Sequence, residues 1–400
     1  MIPALVLVVF IGGSQDHVPF IESAIKMGYS TVVFDRDESC NGAKISDTFF
    51  KISTHDVEKI ISKCKDLNIT NEICGVMTYS SATEPLFATA SVCKTLKLPS
   101  FTIESIELAT DKVLMKECFT RFAVPTPGWT STNTLQEAIN YFKKSGSMPL
   151  IMKPSAGGQG SIGVALIKKV SDIVDRYQNS SSSSDDSKVI LERYYQGQEF
   201  SVDGIIVGDK PIVLAVSEKH SLGSNFNFIM SGFSIINADD KKQYREDWVE
   251  TIKETALKAV NAIGVTNSFF SVDIVDTNEG FMVLECGVLL DCKIDRLLEY
   301  VDVDVYKMMI NVIIGNDKNL EIPSSIKGAC LSFLFAKKEG LMKINNLYKK
   351  KYDGKIEWEK HDGEYVGPPR SIADAVGWSI NHYDLETPCA NKSLNLFSVE

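Results

Sequence analysis

Four hundred residues, 44% of them hydrophobic and 24% charged, are enough for two or three domains with a sizeable core. A formal net charge of −10 argues against nucleic acid as a main partner, and no stretch reaches the roughly 18–20 apolar residues of a membrane span. Nine cysteines with no CxxC pair and no paired framework read as reduced core residues, which points to a reducing, cytoplasmic setting.

Met1–Phe10 is apolar but short, with no Lys or Arg before it, and it runs into Ile11-Gly12-Gly13-Ser14. It reads as a buried first strand and a turn rather than a leader peptide. Strands and helices then alternate: Leu5–Phe10, a helix over His17–Met27, a strand Thr31–Asp35, a helix Val57–Lys65, a strand Gly75–Thr78 and a helix Glu84–Leu96. That alternation predicts a doubly wound parallel α/β domain. Gly12-Gly13-Ser14 and Asp35-Arg36-Asp37 stand where a dinucleotide fold holds phosphate and ribose. The G-x-G-x-x-G fingerprint is incomplete, so a structural turn lining a small-substrate cleft is the preferred reading.

A helix over Asp111–Phe122, with Thr110 as N-cap, ends at Val124-Pro125-Thr126-Pro127. From Trp129 a smaller unit follows: a helix Leu135–Lys144, a strand Leu150–Lys153, a glycine-rich turn and a strand Gly163–Ile167. Asn179, Ser180–Ser184 and Asp185-Asp186 read as a flexible surface loop. Strands follow at Val189–Glu192, Glu199–Val207 and Val213–Ser217, then a helix Trp248–Ile263 and the strand pair Phe269–Val275 and Phe281–Glu285. A helix Asp304–Ile314 precedes a β-rich tail after Pro323. Lys349-Lys350-Lys351 reads as a solvated turn, and there are no internal repeats.

Two segments carry the chemistry. Lys153-Pro154-Ser155-Ala156-Gly157-Gly158-Gln159-Gly160-Ser161-Ile162-Gly163 offers a lysine and a glycine loop whose backbone can approach phosphate oxygens closely. Flanking strands make it a hairpin lid, and the G-K-[ST] ending of a P-loop is absent. In the second segment, a turn centred on Asn278 would pair Asp273 with Val283 and put Glu285 one step further along the same face. Two carboxylates on one face can hold Mg²⁺ against phosphate. Glu285 follows the core-like run Phe281–Leu284, and a buried acid needs a partner. Between the two segments, the backbone of Arg193, Tyr194 and Tyr195 is placed to read an adenine edge, with Glu199 for the ribose hydroxyls. Glu218-Lys219-His220 faces the same cleft or a loop, and Phe226, Phe228, Met230 and Phe233 line an apolar pocket or pack under a lid.

In this order, these segments resemble the ATP-grasp superfamily, in particular its carboxylate–amine ligase branch related to biotin carboxylase and L-amino acid ligases. The resemblance implies an α/β protein of three lobes: an N-terminal domain over 1–110, a small lobe with the lid over 111–205, and a large lobe with a C-terminal β-rich part over 206–400. It implies that Lys112 and Lys153 bind nucleotide with Gly157, Gly158, Gly160 and Ser161. Glu192, Arg193, Tyr194 and Tyr195 match the adenine hinge, Glu199 the ribose acid, and Asp273 and Glu285 the metal ligands. The implied cofactors are ATP and Mg²⁺, with Mn²⁺ as a substitute. The implied partners are small carboxylates and amines, and a second copy in a homodimer.

The chain departs from the family's E-x-N-x-R pattern. After Glu285 it reads Cys286-Gly287-Val288-Leu289, so the metal-binding Asn is Gly287 and the charge-stabilising Arg is Leu289. Loss of one such donor typically costs about 2.7–4 kcal/mol of barrier, about 10²–10³ in rate. Asp291 could compensate for the metal, and Lys293 or Arg296 for the charge, although Arg296 is expected on a helix surface. The expected function is an ATP-dependent ligase forming an amide through an acyl phosphate. The alternative is a nucleotide-binding pseudoenzyme or regulatory subunit. A biotin-dependent carboxylase subunit is disfavoured by the missing Arg, and a nicotinamide oxidoreductase by the incomplete fingerprint.

Overall fold

The computed structural model describes residues 5–157, 162–222, 228–236, 246–323, 325–345, 354–382 and 396–400. Gly158, Gly160, Ser161, Phe226 and the Lys349–Lys351 run lie outside them. The N-terminal domain contains β1 (Val6–Ile11), α1 (Val18–Lys26), β2 (Ser30–Asp35), α2 (Asn41–Ile45), β3 (Thr48–Lys51), α3 (Val57–Thr70), β4 (Glu72–Met77) and α4 (Thr83–Leu96). Its four strands form a parallel sheet in the order β3-β2-β1-β4. Leu7 to Ile11 of β1 are all buried, because a parallel strand covered on both faces has no solvent side.

The turn after β1 is not an open nucleotide crevice. The Gly13 N–H donates to Asp35 Oδ2 at 2.9 Å, the Asp37 N–H takes the other oxygen at 3.0 Å, and a Cβ on Gly13 would lie 2.5 Å from Cys40 Sγ. Buried His17 braces this turn. Its Nε2 accepts from the Tyr79 N–H at 3.0 Å, so Nδ1 carries the proton and donates to Ser14 Oγ at 2.9 Å. Burial pushes the imidazole pKa down to about 4, against the pull of Asp16 and Asp35. An unfolded imidazole takes up a proton near pH 6.5, so protons favour the unfolded chain between pH 6.5 and 4. Stability from this group is present above pH 6.5 and falls by roughly 3 kcal/mol as the pH drops through that window. Denaturant titrations at a series of pH values should show this component in the wild type and lose it in His17→Asn.

Helices α5 (Ile103–Thr110) and α6 (Lys112–Arg121) lead to the small lobe. The N-cap of α6 is Asp111, not Thr110: Asp111 Oδ1 accepts from the Val113 and Leu114 N–H groups, while the Thr110 hydroxyl donates back to Ile106 at the end of α5. The small lobe comprises β5 (Trp129–Thr132), α7 (Leu135–Lys144), β6 (Leu150–Pro154), β7 (Ala165–Ile167), α8 (Val170–Ser182) and β8 (Val189–Arg193). They form an antiparallel sheet in the order β5-β8-β6-β7, with α7 and α8 packed on it. The serine run is therefore not a flexible loop at its start. Asn179 to Ser182 continue α8, because Ile173, Tyr177 and Ser180 form a buried stripe that overrides local composition.

The large lobe contains β9 (Gln198–Val207), β10 (Lys210–Ser221), β11 (Met230–Ile235), α9 (Glu246–Ile263), β12 (Phe269–Thr277), β13 (Gly280–Gly287), α10 (Ile294–Tyr300), α11 (Val305–Ile313), β14 (Ala329–Leu334), β15 (Gly340–Ile344), β16 (Lys355–Trp358), β17 (Tyr365–Val366), β18 (Gly377–His382) and β19 (Phe397–Val399). Eight of these strands form one sheet, β13-β12-β9-β10-β11-β14-β18-β16, and β17-β15-β19 a smaller one. The change of sheet falls between Arg193 and Gln198 rather than at 205/206, since all of β9 pairs with β10 and β12. Ile252, Ala256, Val260 and Ile263 of α9 recur at helical spacing and cover one face of this sheet. A separate core joins α1, α10 and α11 to the sheet and includes Phe233, which settles that residue as packing. Among the described residues seven cysteines are free, but Cys330 on β14 is disulfide-bonded, which corrects the reading of all nine as reduced.

Candidate active site

The first half of the site is built on the small lobe. Lys153 near the end of β6 is buried, and its ammonium lies 3.1 Å from both Glu192 Oε1 and Glu285 Oε1. The end of β6 also anchors α6: the Lys112 N–H donates to the Ser155 carbonyl at 2.8 Å. This places the Lys112 ammonium 3.9 Å from the same Glu285 oxygen. One helical turn on, fully buried Lys116 sits 3.2 Å from Glu192 Oε1 and donates to Thr126 Oγ1 at 2.6 Å. Burial lowers the Lys116 pKa to about 8 despite Glu192. Burial also opposes the charge on Lys153, but Glu192 and Glu285 outweigh it and raise its pKa. Burial would raise Glu285, but Lys112 and Lys153 hold it near 2. Glu192 thus serves as the shared counter-ion of two lysines at the end of β8, beside the connector.

The glycine loop is entered through a braced residue. Gly157 takes φ +70°, and Asp185 stands 3.1 Å from the place of a Cβ. Ser155 Oγ donates to Asp186 and lies 3.0 Å from Ser184 Oγ, and the Asp186 carboxylate also accepts from Ser184 and from the Lys188 N–H. Burial opposes ionisation of Asp186, yet the Ser155 bond and the Lys188 N–H hold its pKa near 2. The end of the serine run therefore supports the loop base.

The second half lies on the polar face of the large sheet. The hairpin turn is tighter than expected: Thr277 pairs with Gly280, and a bulge after Asp273 puts Asp273 directly opposite Glu285 rather than Val283. Along β9, Glu199, Ser201 and Asp203 share a face by period-two alternation. Lys219 on β10 binds both Asp273 oxygens at 2.8 and 2.7 Å and Asp291 Oδ2 at 2.8 Å. Fully buried Asp203 accepts from the Asp291 N–H at 2.8 Å and from Ser201 Oγ at 2.7 Å. Burial, then the charge of Asp291, raises the Asp203 pKa to about 8. Burial also raises Asp273, to about 7, against the pull of Lys219. The Lys219 pKa stands well above normal, because Asp273, Asp291 and Glu199 overcome its burial.

The hinge is partly spent on structure. The Arg193 N–H donates to the Gly128 carbonyl at 2.8 Å and the Tyr194 N–H to the Pro149 carbonyl at 2.9 Å, so these two N–H groups are engaged within the protein. The Arg193 guanidinium pairs with Glu279 at 2.6 Å and lies 4.4 Å from the Tyr195 ring centroid, and the Tyr195 hydroxyl donates to Glu279 at 3.0 Å. Glu279 belongs to the β12–β13 turn, so the linker to the small lobe is latched to the hairpin that carries Asp273 and Glu285.

Gly287 and Leu289 leave no polar side chain at their two positions. Ser271 Oγ stands 3.1 Å from where a Gly287 Cβ would be, and Leu289 packs on the core under α9. Neither expected substitute cation joins Asp273. Lys293 pairs with Asp16 at 2.7 Å and Glu359 at 3.3 Å. Arg296 is buried rather than on a helix surface, with its Nε 3.4 Å from Asp295. The cation beside the acids is Lys219. Its segment was read as cleft-facing, but no spacing rule selects one residue across strands. Lys116 was legible as a lysine one turn after Lys112, and Asp203 by alternation with Glu199.

Residues 109–287 match the family model of the ATP-grasp domain. The chain is 24% identical over 272 residues to the carbamoyl phosphate synthase large chain of Thermoanaerobacter pseudethanolicus, a match taking in 67% of this chain and 24% of that relative. It thus spans about a quarter of that relative's length. The phosphoribosylglycinamide synthetase of Anaerococcus prevotii superposes with a TM-score of 0.74 at 17% identity over 99% of each chain. The L-amino acid ligase of Bacillus licheniformis superposes with a TM-score of 0.76 at 16% identity, covering 96% of this chain and 95% of that one. Residues 109–287 therefore carry an ATP-grasp domain, and in the fold around it the small-lobe sheet and the large sheet face each other across Lys153 and Glu285.

Proposed function

We propose that the protein is an ATP- and Mg²⁺-dependent carboxylate–amine ligase. It would form an amide through an acyl phosphate and release ADP and phosphate. The observation that carries this reading is the meeting of Lys112 and Lys153 from the small-lobe side with Glu285 and, paired to it, Asp273 from the large sheet. Phosphates would be held by the two lysines and by the loop that begins at Gly157. Among the described residues no group of three His, Cys, Asp or Glu side chains stands ready as a complete metal site. Mg²⁺ binds through one or two carboxylates plus substrate phosphates. Asp273 and Glu285 would hold it. The bound ion would supply charge neutralisation at the phosphates.

The protein's own contribution is positioning and electrostatics. Lys153 is pre-ordered by Glu192 and Glu285, and Lys219 supplies the cation that Leu289 cannot. Closure of the small lobe would exclude water from the labile acyl phosphate. The other reading, a nucleotide-binding protein without ligation, is favoured by the core packing of Leu289 and by the engagement of Lys219 with Asp273. The test is ADP and phosphate release from Mg-ATP across a panel of carboxylates and amines, with mass spectrometry of products. Release coupled to an amide supports the ligase. Tight ATP binding without release in any pairing supports the second reading.

A further inference from the structure

An open cavity of about 510 Å³ lies between the N-terminal domain and α11, and none of Lys112, Lys153, Glu192, Asp273 and Glu285 lines it. A chain reversal builds its wall. Gly315, with φ 71°, ends α11, and the Asn316 N–H returns to the Asn311 carbonyl at 2.8 Å. The segment after it comes back beside the helix, where Lys307 and Asn311 share one face at i and i+4. Tyr29, half-buried just before β2, joins the lining from the N-terminal domain.

Polar groups in this cavity are left uncommitted. Asn311 is 2% exposed, its Oδ1 receives Asn316 Nδ2 at a long 3.4 Å, and its own Nδ2 donates to no acceptor among the described residues. A buried donor without an acceptor is costly. The Lys318 ammonium makes no ion pair among the described residues, and Lys307 has Glu321 at 3.8 Å, whose side chain is 90% exposed.

Two ammoniums with so little local counter-charge suit a phosphate. The Tyr29 ring offers a face to a flat base, and the Asn311 and Asn316 amides can donate to its edge and accept from it. The volume falls within the roughly 300–1,000 Å³ of small-molecule sites. A smaller cavity of about 290 Å³ opens from the same wall at Lys307 and Asn311 and adds Asp302 and Asp304. Carboxylates there can accept sugar hydroxyls. They also repel a long polyanion, so one phosphate fits better than three.

We propose that this cavity is a second ligand site, for a nucleoside 5′-monophosphate, with the phosphate on Lys307 and Lys318 and the base against Tyr29 and Asn311. It stands apart from the ligase reading, and its test needs no turnover. The full-length protein is titrated calorimetrically with AMP, GMP, CMP and UMP, without added metal. For the tightest binder, the nucleoside alone and inorganic phosphate alone are titrated too. The expected result is saturable binding of at least one monophosphate, with both fragments weaker by about tenfold or more. Lys318→Glu should weaken the monophosphate by about tenfold and leave the nucleoside unchanged. Asn311→Leu should weaken both by about tenfold, and exposed Lys318 carries the test if that buried variant does not fold. Mg-ATP affinity in Lys318→Glu should match wild type. Absence of monophosphate binding overturns the proposal. Equal binding by wild type and Lys318→Glu overturns it too, because the nucleotide then sits elsewhere in the protein. Inorganic phosphate or the bare nucleoside binding as tightly as the monophosphate does the same.

Discussion

Glu192→Gln is expected to destabilise the protein by about 3–5 kcal/mol, the usual result of removing one partner from a buried ion pair. Glu192 is 2% exposed, and one of its oxygens serves Lys116 at 3.2 Å and Lys153 at 3.1 Å. Lys153 keeps Glu285 as a partner in the variant. Lys116 does not: it is fully buried, its remaining neighbours are Thr126 Oγ1 and the Val283 carbonyl, and its pKa is already depressed by burial. Replacing both members of the pair, as in Lys116→Met with Glu192→Leu, should restore most of the loss, because no charge is then left uncompensated. Urea unfolding of the two variants measures the difference. A single substitution within 1 kcal/mol of wild type would mean that water reaches the pair.

Lys219→Met is expected to lower the turnover number by about 10²–10³, with a smaller effect on the Michaelis constant for ATP. In the proposed ligase this ammonium is the fixed cation closest to the metal acids, within 2.8 Å of Asp273 and Asp291. Its charge is secured by those carboxylates, so it needs no rearrangement to face an anionic intermediate. If Lys219 were only an internal plug for the acids, the same variant would bind Mg²⁺ more tightly and turn over at least as fast. Steady-state kinetics across Mg²⁺ concentrations separates the two. Unchanged kcat would remove Lys219 from the mechanism and return the question of what replaces Leu289.

Parts of the site were legible because they lie within one element. Asp273 and Glu285 follow from a hairpin whose turn residues are contiguous. Their direct pairing was missed by two residues, one from the tighter Thr277–Gly280 turn and one from a bulge, which leaves no mark in a strand whose apolar pattern continues past it. The serine run was misread for a related reason: low complexity suggested a loop, while the buried stripe of α8 carried the helix onward.

By itself, the sequence determined the alternating N-terminal domain, the order of the segments carrying Lys112, Lys153, Asp273 and Glu285, and the absence of Asn and Arg after Glu285. These are local patterns, written in spacings of two to about ten residues. Only the tertiary structure decided that Glu192 is a shared counter-ion, that Lys219 joins Asp273 to Asp291, and that Arg296 is buried without an acceptor for its Nε. The reason is physical: a charge is committed by whatever lies within about 4 Å of it and by how much water is excluded around it. Both are set by strands and helices that come from distant parts of the chain.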